Sequence, residues 1–587
     1  MVSDPSRARS WLDFGAVIVF LLAASVYANA LFLGATLDDV FIVERNPLSH
    51  GVSQIAGIFT TSYWGFDPRL PDTSLYRPFT ILTFALERSV FGHTLWVSHA
   101  VNVLLHATAS ALVFVTVRRL FEDARIAFAA AILFAVHPAH VEAVAGLVGR
   151  AESLAALGIL TCVYAWDRAR DGHWKWIAIA ALACAAGAAS KEIGVTAPAV
   201  ALAAEIVLPE RRWLLRGDRR AWIAMVVLAS VLGAFLVVHA SITEPNRALM
   251  GLVGLEAQWR VPTAFAALLE YARLCVFPMN LSADYTLRDV PLVESLVDMR
   301  FLAGVALALV LVATAWCARR RAPVVTWGLI VAAITFAPVS NLLFGVGIVV
   351  AERALYSPSI GLCAAVGGAF ALALQRPAWT RIGWIAFVLV SAGFAVRTWT
   401  RTPVWKDNET LGLATLAVAP HSHLAHDILA QFYAAKGDLV AAEPHVRAAL
   451  ETEDCKDMRF LEGEIAVANG RLEEAIRAYR TVIELDAAHA AAYNQLGLAL
   501  GDAGQVDEAI QTFTAMQQAC PDQETAWLNL VFLYSQRGDL ERALTVALDA
   551  VARFPKSAEV LRTTGAVHAA LGHSDEAEVF ARRAQSL

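Results

Sequence analysis

Five clusters of ionisable residues interrupt an otherwise apolar chain. Asp38 and Asp39 adjoin in Leu37-Asp38-Asp39-Val40, and Tyr76-Arg77-Pro78 follows in the same stretch. His137-Pro138-Ala139-His140-Val141-Glu142 runs on to Gly149-Arg150. Lys191-Glu192 breaks an apolar run, and Ala351-Glu352-Arg353 stands just before Tyr356. Charged groups at the ends of membrane helices need a reason to be there. A carboxylate can act as a general base, and Arg or Lys can stabilise a departing anion. Together the clusters have the composition needed to bring an anionic lipid phosphate to a carboxylate base. Taken singly, each also has an ordinary reading. Asp38-Asp39 can be a solvated helix end, Lys191-Glu192 a local ion pair, and Arg77 and Arg353 can snorkel to head groups. His137 and His140 stand i, i+3 around a Pro; without an HExxH pattern or a third ligand in register they do not make a metal site.

The elements that must position these groups are membrane helices. Of 587 residues, 57% are hydrophobic and 17% charged, with a mean hydropathy of +0.53. Soluble chains sit nearer ~45–50% apolar and about 25% charged. The excess excludes a disordered protein, a secreted disulfide scaffold and a purely soluble enzyme. The seven Cys are scattered, several of them inside apolar runs (Cys162, Cys184, Cys317), and none forms a CxxC, so neither a disulfide framework nor a zinc site is expected. Charge is split along the chain. Residues 420–587 carry 14 Lys+Arg against 25 Asp+Glu, a balance of −11, and the remainder balances at +5. An acidic C-terminal part argues against a nucleic-acid partner.

Apolar stretches long enough to span, about 17–25 residues, fall near 12–34, 96–117, 126–137 with its continuation, 151–166, 176–189, 193–208, 222–240, 300–317, 323–344, 355–374 and 381–397. The first is too long for a signal peptide and lacks a small-residue cleavage pattern. Arg7 and Arg9 precede it. Further Lys/Arg clusters lie at 118–125, 168–175, 211–220 and 319–321, and these mark cytoplasmic loops. The five ionisable clusters then share the opposite, extracytoplasmic side, an orientation set by residues other than their own. The apolar run 262–278 does not fit this alternation and reads as a re-entrant or interfacial helix. The expectation is eleven spans, with the N-terminus cytoplasmic and the C-terminus outside.

Glycines at 437, 470, 504, 538 and 572 recur at spacings of 33, 34, 34 and 34. The later ones open one phrase: Gly470-Arg-Leu-Glu-Glu-Ala475, Gly504-Gln-Val-Asp-Glu-Ala509, Gly538-Asp-Leu-Glu-Arg-Ala543 and Gly572-His-Ser-Asp-Glu-Ala577. A 34-residue helix–turn–helix unit with these marks resembles the tetratricopeptide repeat. Five repeats suffice to bury a continuous core and offer a concave surface to a peptide or protein. The chain therefore reads as all-α. A polytopic membrane domain occupies 1–400, a linker 401–419, and a tetratricopeptide-repeat solenoid 420–587.

Longer blocks carry a family resemblance. Leu37-Asp38-Asp39, Ser74-Leu75-Tyr76-Arg77-Pro78-Phe79-Thr80, the run Phe134 to Glu152, Ser190-Lys191-Glu192-Ile193-Gly194, Asn280-Leu281-Ser282-Ala283-Asp284-Tyr285 and Ser340-Asn341-Leu342-Leu343 running to Ser359 resemble the transmembrane and tetratricopeptide repeat-containing (TMTC) family of O-mannosyltransferases. The resemblance implies a GT-C glycosyltransferase fold with its site on the lumenal or periplasmic side. It implies a polyprenyl-phosphate sugar as donor, dolichyl-phosphate mannose in the family, and Ser/Thr of proteins as acceptors. The family's acidic motif in the first extracytoplasmic loop maps onto Asp38 and Asp39. Relatives often carry more repeats than five. The Ala/Arg-rich composition points to a bacterial inner membrane, with undecaprenyl phosphate as carrier.

The mechanism expected is a single inverting displacement. One carboxylate of the pair, Asp39 by preference, takes the acceptor's proton. Arg77, Arg150, Lys191 and Arg353 hold the phosphate, with His137, His140, Glu142 and Glu352 in support. No cofactor beyond the lipid-linked donor is required, and nothing in the sequence demands a metal. The alternatives are a non-catalytic membrane-anchored repeat scaffold and a lipid-linked-sugar flippase; the repeated pair of Gly/Pro-broken helices that points to transporters is not seen. The orientation is directly testable. Reporter fusions after Thr73 and after Val418 are expected to report the same, non-cytoplasmic side, and opposite reports would show the helix count to be off by one.

Overall fold

The computed structural model describes residues 14–66, 75–243, 255–375, 377–452 and 454–587. Arg7, Arg9, Thr73 and Ser74 lie outside the described residues. The chain divides into two compact units, Met1–Ala425 and His426–Leu587. Helices dominate both, and the only β pairing among the described residues is an isolated bridge between Tyr285 and Val350.

The longer helices of the first unit are α1 (Gly15–Val26), α2 (Pro78–Phe91), α3 (Leu95–Phe121), α4 (Ala124–Val136), α5 (Arg150–Ala169), α6 (Lys175–Ser190), α7 (Ala197–Val207), α8 (Arg219–Ile242), α9 (Ala257–Val276), α10 (Met299–Ala318), α11 (Pro323–Phe336), α12 (Tyr356–Ala373) and α13 (Pro377–Arg401). Every apolar stretch read as a span is helical. Among the described residues, seven helical segments are long and apolar enough to cross a bilayer. An eighth is added if α4 and its continuation Pro138–Ala145, bent by 54°, count as one. The helix α6 and the segment Pro323–Val339 are apolar but shorter. At about 1.5 Å per residue, the 16 residues of α6 reach about 24 Å, less than the ~30 Å of a hydrocarbon core.

Burial sorts the spans into layers. The apolar windows of α5 and α12 are 72% and 67% buried within the protein, against 17% for α8 and 6% for α10. The first two form the interior of the bundle, and the last two present their apolar surface outward. Close approach of α5 and α6 is set by glycine: a Cβ on Gly158 would stand 2.6 Å from the Cα of Gly187. That contact fixes the start of α5 beside the end of α6, where Glu152 and Lys191 lie.

Both ends of α5 carry ion pairs. Near its C-terminus Asp167 accepts from Arg119 Nε at 2.6 Å and lies 3.4 Å from Arg211 Nη1, while Arg211 Nη2 reaches Glu122 at 2.7 Å. The basic clusters at 118–125, 168–175 and 211–220 thus meet at one end of the unit. Glu152 lies 15 residues earlier, about 22 Å away along the helix.

The segment 401–419, expected as a linker, is largely helical. Thr402–Trp405 and Asn408–Leu416 are helical, Trp405 is buried, and the residues belong to the first compact unit. The apolar faces of Trp405, Leu411 and Thr415 supply the reason, since exposing them in a linker would leave them in water.

Five helix pairs, from His423–Ala435 through Ser574–Gln585, make up the repeat region. Gly437, Gly470, Gly504, Gly538 and Gly572 all have φ between 71° and 83°, the left-handed turn that glycine adopts without a Cβ penalty. Ala475, Ala509 and Ala543 are fully buried where paired helices touch. Tyr479, Phe513 and Trp527 link successive repeats into one core. A fragment of residues 420–587 is expected to express as a soluble protein with a strongly helical circular dichroism spectrum; a spectrum with little helix would contradict a self-sufficient repeat core.

Candidate functional site

The first inter-helical loop is pinned from both sides. Gly34 N–H donates to the Lys406 carbonyl at 2.9 Å, and Leu37 N–H donates to Asn408 Oδ1 at 3.0 Å. Leu37 has φ 50°, a left-handed conformation that a non-glycine residue holds only when its surroundings impose it. The acidic pair follows this turn, and the two carboxylates have different surroundings. Asp39 is 1% exposed. Its Oδ2 accepts from Thr36 N–H at 3.2 Å and its Oδ1 from Val148 N–H at 2.8 Å. Both oxygens therefore hold backbone, one tying the turn and the other the 146–149 loop. Burial pushes the Asp39 carboxyl up to about 7, although the N–H groups of Val148, Leu147 and Thr36 pull the other way. Asp38 is half-buried and has no hydrogen-bond partner among the described residues. Burial raises its carboxyl too, while Arg353 and Arg77 favour the ionised form. Of the two carboxylates expected to act, Asp39 is thus engaged with backbone through both oxygens, and Asp38 is the one open to a further partner.

Around Asp38 lie three ion pairs. Arg77 grips Glu192 with two bonds, Nε to Oε1 at 3.1 Å and Nη2 to Oε2 at 2.8 Å, and lies 5.1 Å from the Tyr63 ring centroid. Burial opposes ionisation of Glu192, but Arg77 outweighs it and holds the carboxyl below its ordinary value. Lys191 pairs with Glu152; burial lowers the ammonium, with Arg77 and Arg353 adding to the effect. Arg353 pairs with Glu142 through its guanidinium, and its backbone N–H donates to Glu142 Oε2 at 2.8 Å. The Arg353 side chain is 32% exposed, against 15% for Arg77 and 12% for Lys191, so it is the most accessible of the three. The structure therefore gathers Asp38, Arg77, Glu142, Lys191, Glu192 and Arg353 at one place.

Other expected residues serve elsewhere. Arg150 is fully buried; it bonds Asn102 Oδ1, Glu87 Oε2 and the Ser98 carbonyl at 2.8–3.0 Å and lies 3.9 Å from the Phe84 ring centroid. Its guanidinium braces α2, α3 and α5, which leaves it ill placed to receive a phosphate. His137 donates from Nε2 to the Cys275 carbonyl at 3.0 Å and accepts the Ala139 N–H at Nδ1. His140 lies between the Phe134 carbonyl and Ser359 Oγ. Both rings anchor the bend after α4. Glu352 accepts from Ser282 N–H at 2.6 Å and Tyr285 O–H at 2.9 Å, holding the 280–285 loop. Among the described residues, no three His, Cys, Asp or Glu side chains are grouped to hold a metal ion.

Sequence reasoning missed the polar stripe of α3. His99, Asn102 and His106 are fully buried. Asn102 Nδ2 lies 3.1 and 3.2 Å from the carbonyls of Gly146 and Leu147, and His106 bonds Tyr356 Oη at 2.9 Å. The signal was present: polar residues at i, i+3 and i+7 of an apolar helix lie on one face and need a polar partner.

Membrane-length helices, a carboxylate ringed by ion pairs at one end of the bundle and an appended repeat array define a polytopic membrane protein with a built polar site and a protein-interaction module. Residues 77–239 match the family profile "Dolichyl-phosphate-mannose-protein mannosyltransferase", and residues 257–312 match "Protein O-mannosyl-transferase TMTC, DUF1736". Residues 460–524 and 500–567 match tetratricopeptide-repeat profiles. Protein O-mannosyl-transferase TMTC3 of Mus musculus is 30% identical over 433 residues, 68% of this chain and 47% of that protein. TMTC1 of Homo sapiens is 29% identical over 566 residues, 85% of this chain and 59% of that protein. The chain spans about half the length of the curated relatives it matches. Among solved structures, that of MamA is 19% identical, covering 27% of this chain and 93% of that one, with a TM-score of 0.25. The chain is homologous to the TMTC family of O-mannosyltransferase-like proteins in the GT-C superfamily.

Breaking one buried pair tests whether the ring holds the bundle together. Glu152→Gln leaves the Lys191 ammonium without its counter-charge and is expected to destabilise the protein by about 3–5 kcal/mol. Adding Lys191→Met should restore most of that loss, read as the thermal midpoint in detergent.

Proposed function

We propose that the chain is an integral-membrane GT-C glycosyltransferase. It moves a sugar of the mannose class from a polyprenyl phosphate to Ser/Thr hydroxyls of extracytoplasmic proteins. The observation that carries this reading is the position of Asp38, a half-buried carboxylate with unused lone pairs, flanked by Arg353 and Arg77. Homology to O-mannosyltransferases supplies the reaction class. The apolar segments form eleven spans, some broken or short, with the N-terminus cytoplasmic and the repeats outside. The repeat array holds the acceptor or a partner protein.

In this mechanism Asp38 accepts the proton of the acceptor hydroxyl. The hydroxyl oxygen forms a new bond to the anomeric carbon as the bond from that carbon to the phosphate oxygen breaks. The lipid phosphate leaves with the electron pair, and the configuration inverts. A phosphate is already a good leaving group, so no general acid is needed. Arg353, the most exposed cation of the ring, faces the charge that develops. Asp39 keeps Asp38 in place by holding the Thr36 turn against the 146–149 loop.

Asp38→Asn is expected to lower transfer to a co-expressed Ser/Thr-containing acceptor by about 10²–10⁴-fold, with the thermal midpoint retained. Intact-mass spectrometry of the acceptor, following a hexose-sized increment, reads the effect. Near-normal transfer from the Asp38→Asn, Asp39→Asn double variant would rule out a carboxylate base in this loop.

The pH dependence has a definite sign. Asp38 must be ionised to act, so activity rises with pH, and its acidic limb should lie above the ordinary carboxylate value of 3.8. Asp39 is raised in the folded state, so the folded protein binds more protons than the unfolded chain between 3.8 and about 7. Its contribution to stability is therefore full at the acidic end and declines as pH rises across that window. Asp39→Asn should flatten this decline in a series of thermal midpoints.

A further inference from the structure

Each cation expected to hold the donor phosphate already faces a carboxylate: Arg77 faces Glu192, Lys191 faces Glu152, Arg353 faces Glu142 and Arg150 faces Glu87. A phosphate is bound most strongly by donors free to point at it, above all the two-pronged edge of a guanidinium. One buried arginine has that edge free. Arg401, the last residue of α13, is 3% exposed. Its Nε and Nη2 have no hydrogen-bond partner among the described residues. These two nitrogens form the same side-on fork with which Arg77 grips Glu192.

The surroundings of Arg401 are polar. Glu352 lies within electrostatic reach of it, yet directs its Oε1 to Ser282 N–H and Tyr285 O–H. Ser282 Oγ donates to the Asp284 carbonyl at 2.6 Å, and Ser422 Oγ donates to Asp284 Oδ2 at 2.7 Å. Arg397, one helical turn before Arg401, donates to the Met279 carbonyl at 2.7 Å and lies in the field of both Arg401 and Glu352. Arg397 and Arg401 thus both lie in the field of Glu352. The wall adjoins the Asp38 ring through Arg353, which interacts with both Asp38 and Asp284. A buried guanidinium with two idle donors is unfavourable unless an acceptor meets them, and an oxyanion supplies both the acceptor atoms and the counter-charge.

We propose that the Nε/Nη2 edge of Arg401 is an oxyanion receptor that takes two oxygens of a phosphate group. Resting on the transferase reading above, that phosphate belongs to the polyprenyl-phosphate donor. It sits between Arg401 and Arg353, which places the anomeric carbon toward Asp38. The paired cations Arg77 and Lys191 then act as the scaffold of the site, Arg353 flanks the phosphate, and Arg401 is its receptor.

The test uses the full-length protein in detergent micelles and four probes: undecaprenyl phosphate, undecaprenol, phosphatidylglycerol and inorganic phosphate. Binding is read as a dissociation constant and as a ligand-induced rise in the thermal midpoint. Wild type is expected to bind undecaprenyl phosphate and not undecaprenol. Arg401→Gln should weaken that binding by about tenfold or more. Arg401→Lys, which keeps the charge and loses the fork, should weaken it several-fold; this variant carries the test if the Gln variant does not fold. Unchanged affinity for undecaprenyl phosphate in Arg401→Lys overturns the inference and leaves the transferase reading standing. Arg401-dependent binding of phosphatidylglycerol or inorganic phosphate alone supports the oxyanion receptor and overturns the donor assignment. Failure of every phosphate probe to bind wild type overturns both.

Discussion

An apolar helical bundle tolerates charge only in pairs. Water is too remote to solvate a lone ion, and the penalty for leaving one unpaired is several kcal/mol. Much of the first unit follows from this constraint. Arg77 with Glu192 ties the start of α2 to the break after α6. Lys191 with Glu152 ties that break to the start of α5. Arg353 with Glu142 ties the approach to α12 to the bent segment after α4. Each pair joins elements distant in sequence, so the charges act as cross-links among the loops at one end of the bundle. Such pairs add less to net stability than their Coulomb energy suggests. Their larger effect is to leave each loop one low-energy place to sit.

Within that framework two groups stand out as exceptions, and the proposed chemistry is built on them. Asp38 has free lone pairs, and Arg401 has free donors. Neighbouring groups of the same type, Asp39 and Arg77, show what satisfied versions look like. Asp39 accepts from backbone on both oxygens, and Arg77 lies against a carboxylate with both prongs. The difference between a structural and a reactive group here is one of partners, not of residue type. Preorganisation follows, because the surrounding ion pairs bear the mechanical load and the two idle groups need not move to be held.

The repeat region was legible residue by residue. Its glycine period became the run of left-handed turns, and Ala475, Ala509 and Ala543 after three of those turns became buried contacts between paired helices. The apolar segments were legible as helices, though not their lengths, because the shorter ones are truncated by the polar breaks that hold the site. Convergence of the charged clusters followed from loop orientation alone. Their partners did not. Arg150 stands in a motif beside the other cations, yet it turns toward Glu87 and Asn102 inside the bundle. The direction a side chain takes from a helix start depends on helix packing, which no local pattern encodes. Asp38 and Asp39 are adjacent and chemically alike; only the fold tells which one has spare lone pairs. Arg401 was hidden for a related reason, since it closes an apolar helix where arginine is commonplace.

The bonds from Gly34 to Lys406 and from Leu37 to Asn408 join segments about 370 residues apart in the chain. Ribosomes make proteins from the N-terminus, so the loop bearing Asp38 leaves early and its clamp leaves near the end of the first unit. Until the 402–408 segment arrives, Gly34 and Leu37 lack the bonds that pin this side of the loop, and the earlier contacts of Asp39 alone hold the turn. The setting of Asp38 is therefore completed only late in membrane assembly. A nascent or truncated chain can insert all of its earlier helices and still lack this clamp, which ties the shape of the loop to the integrity of the whole unit.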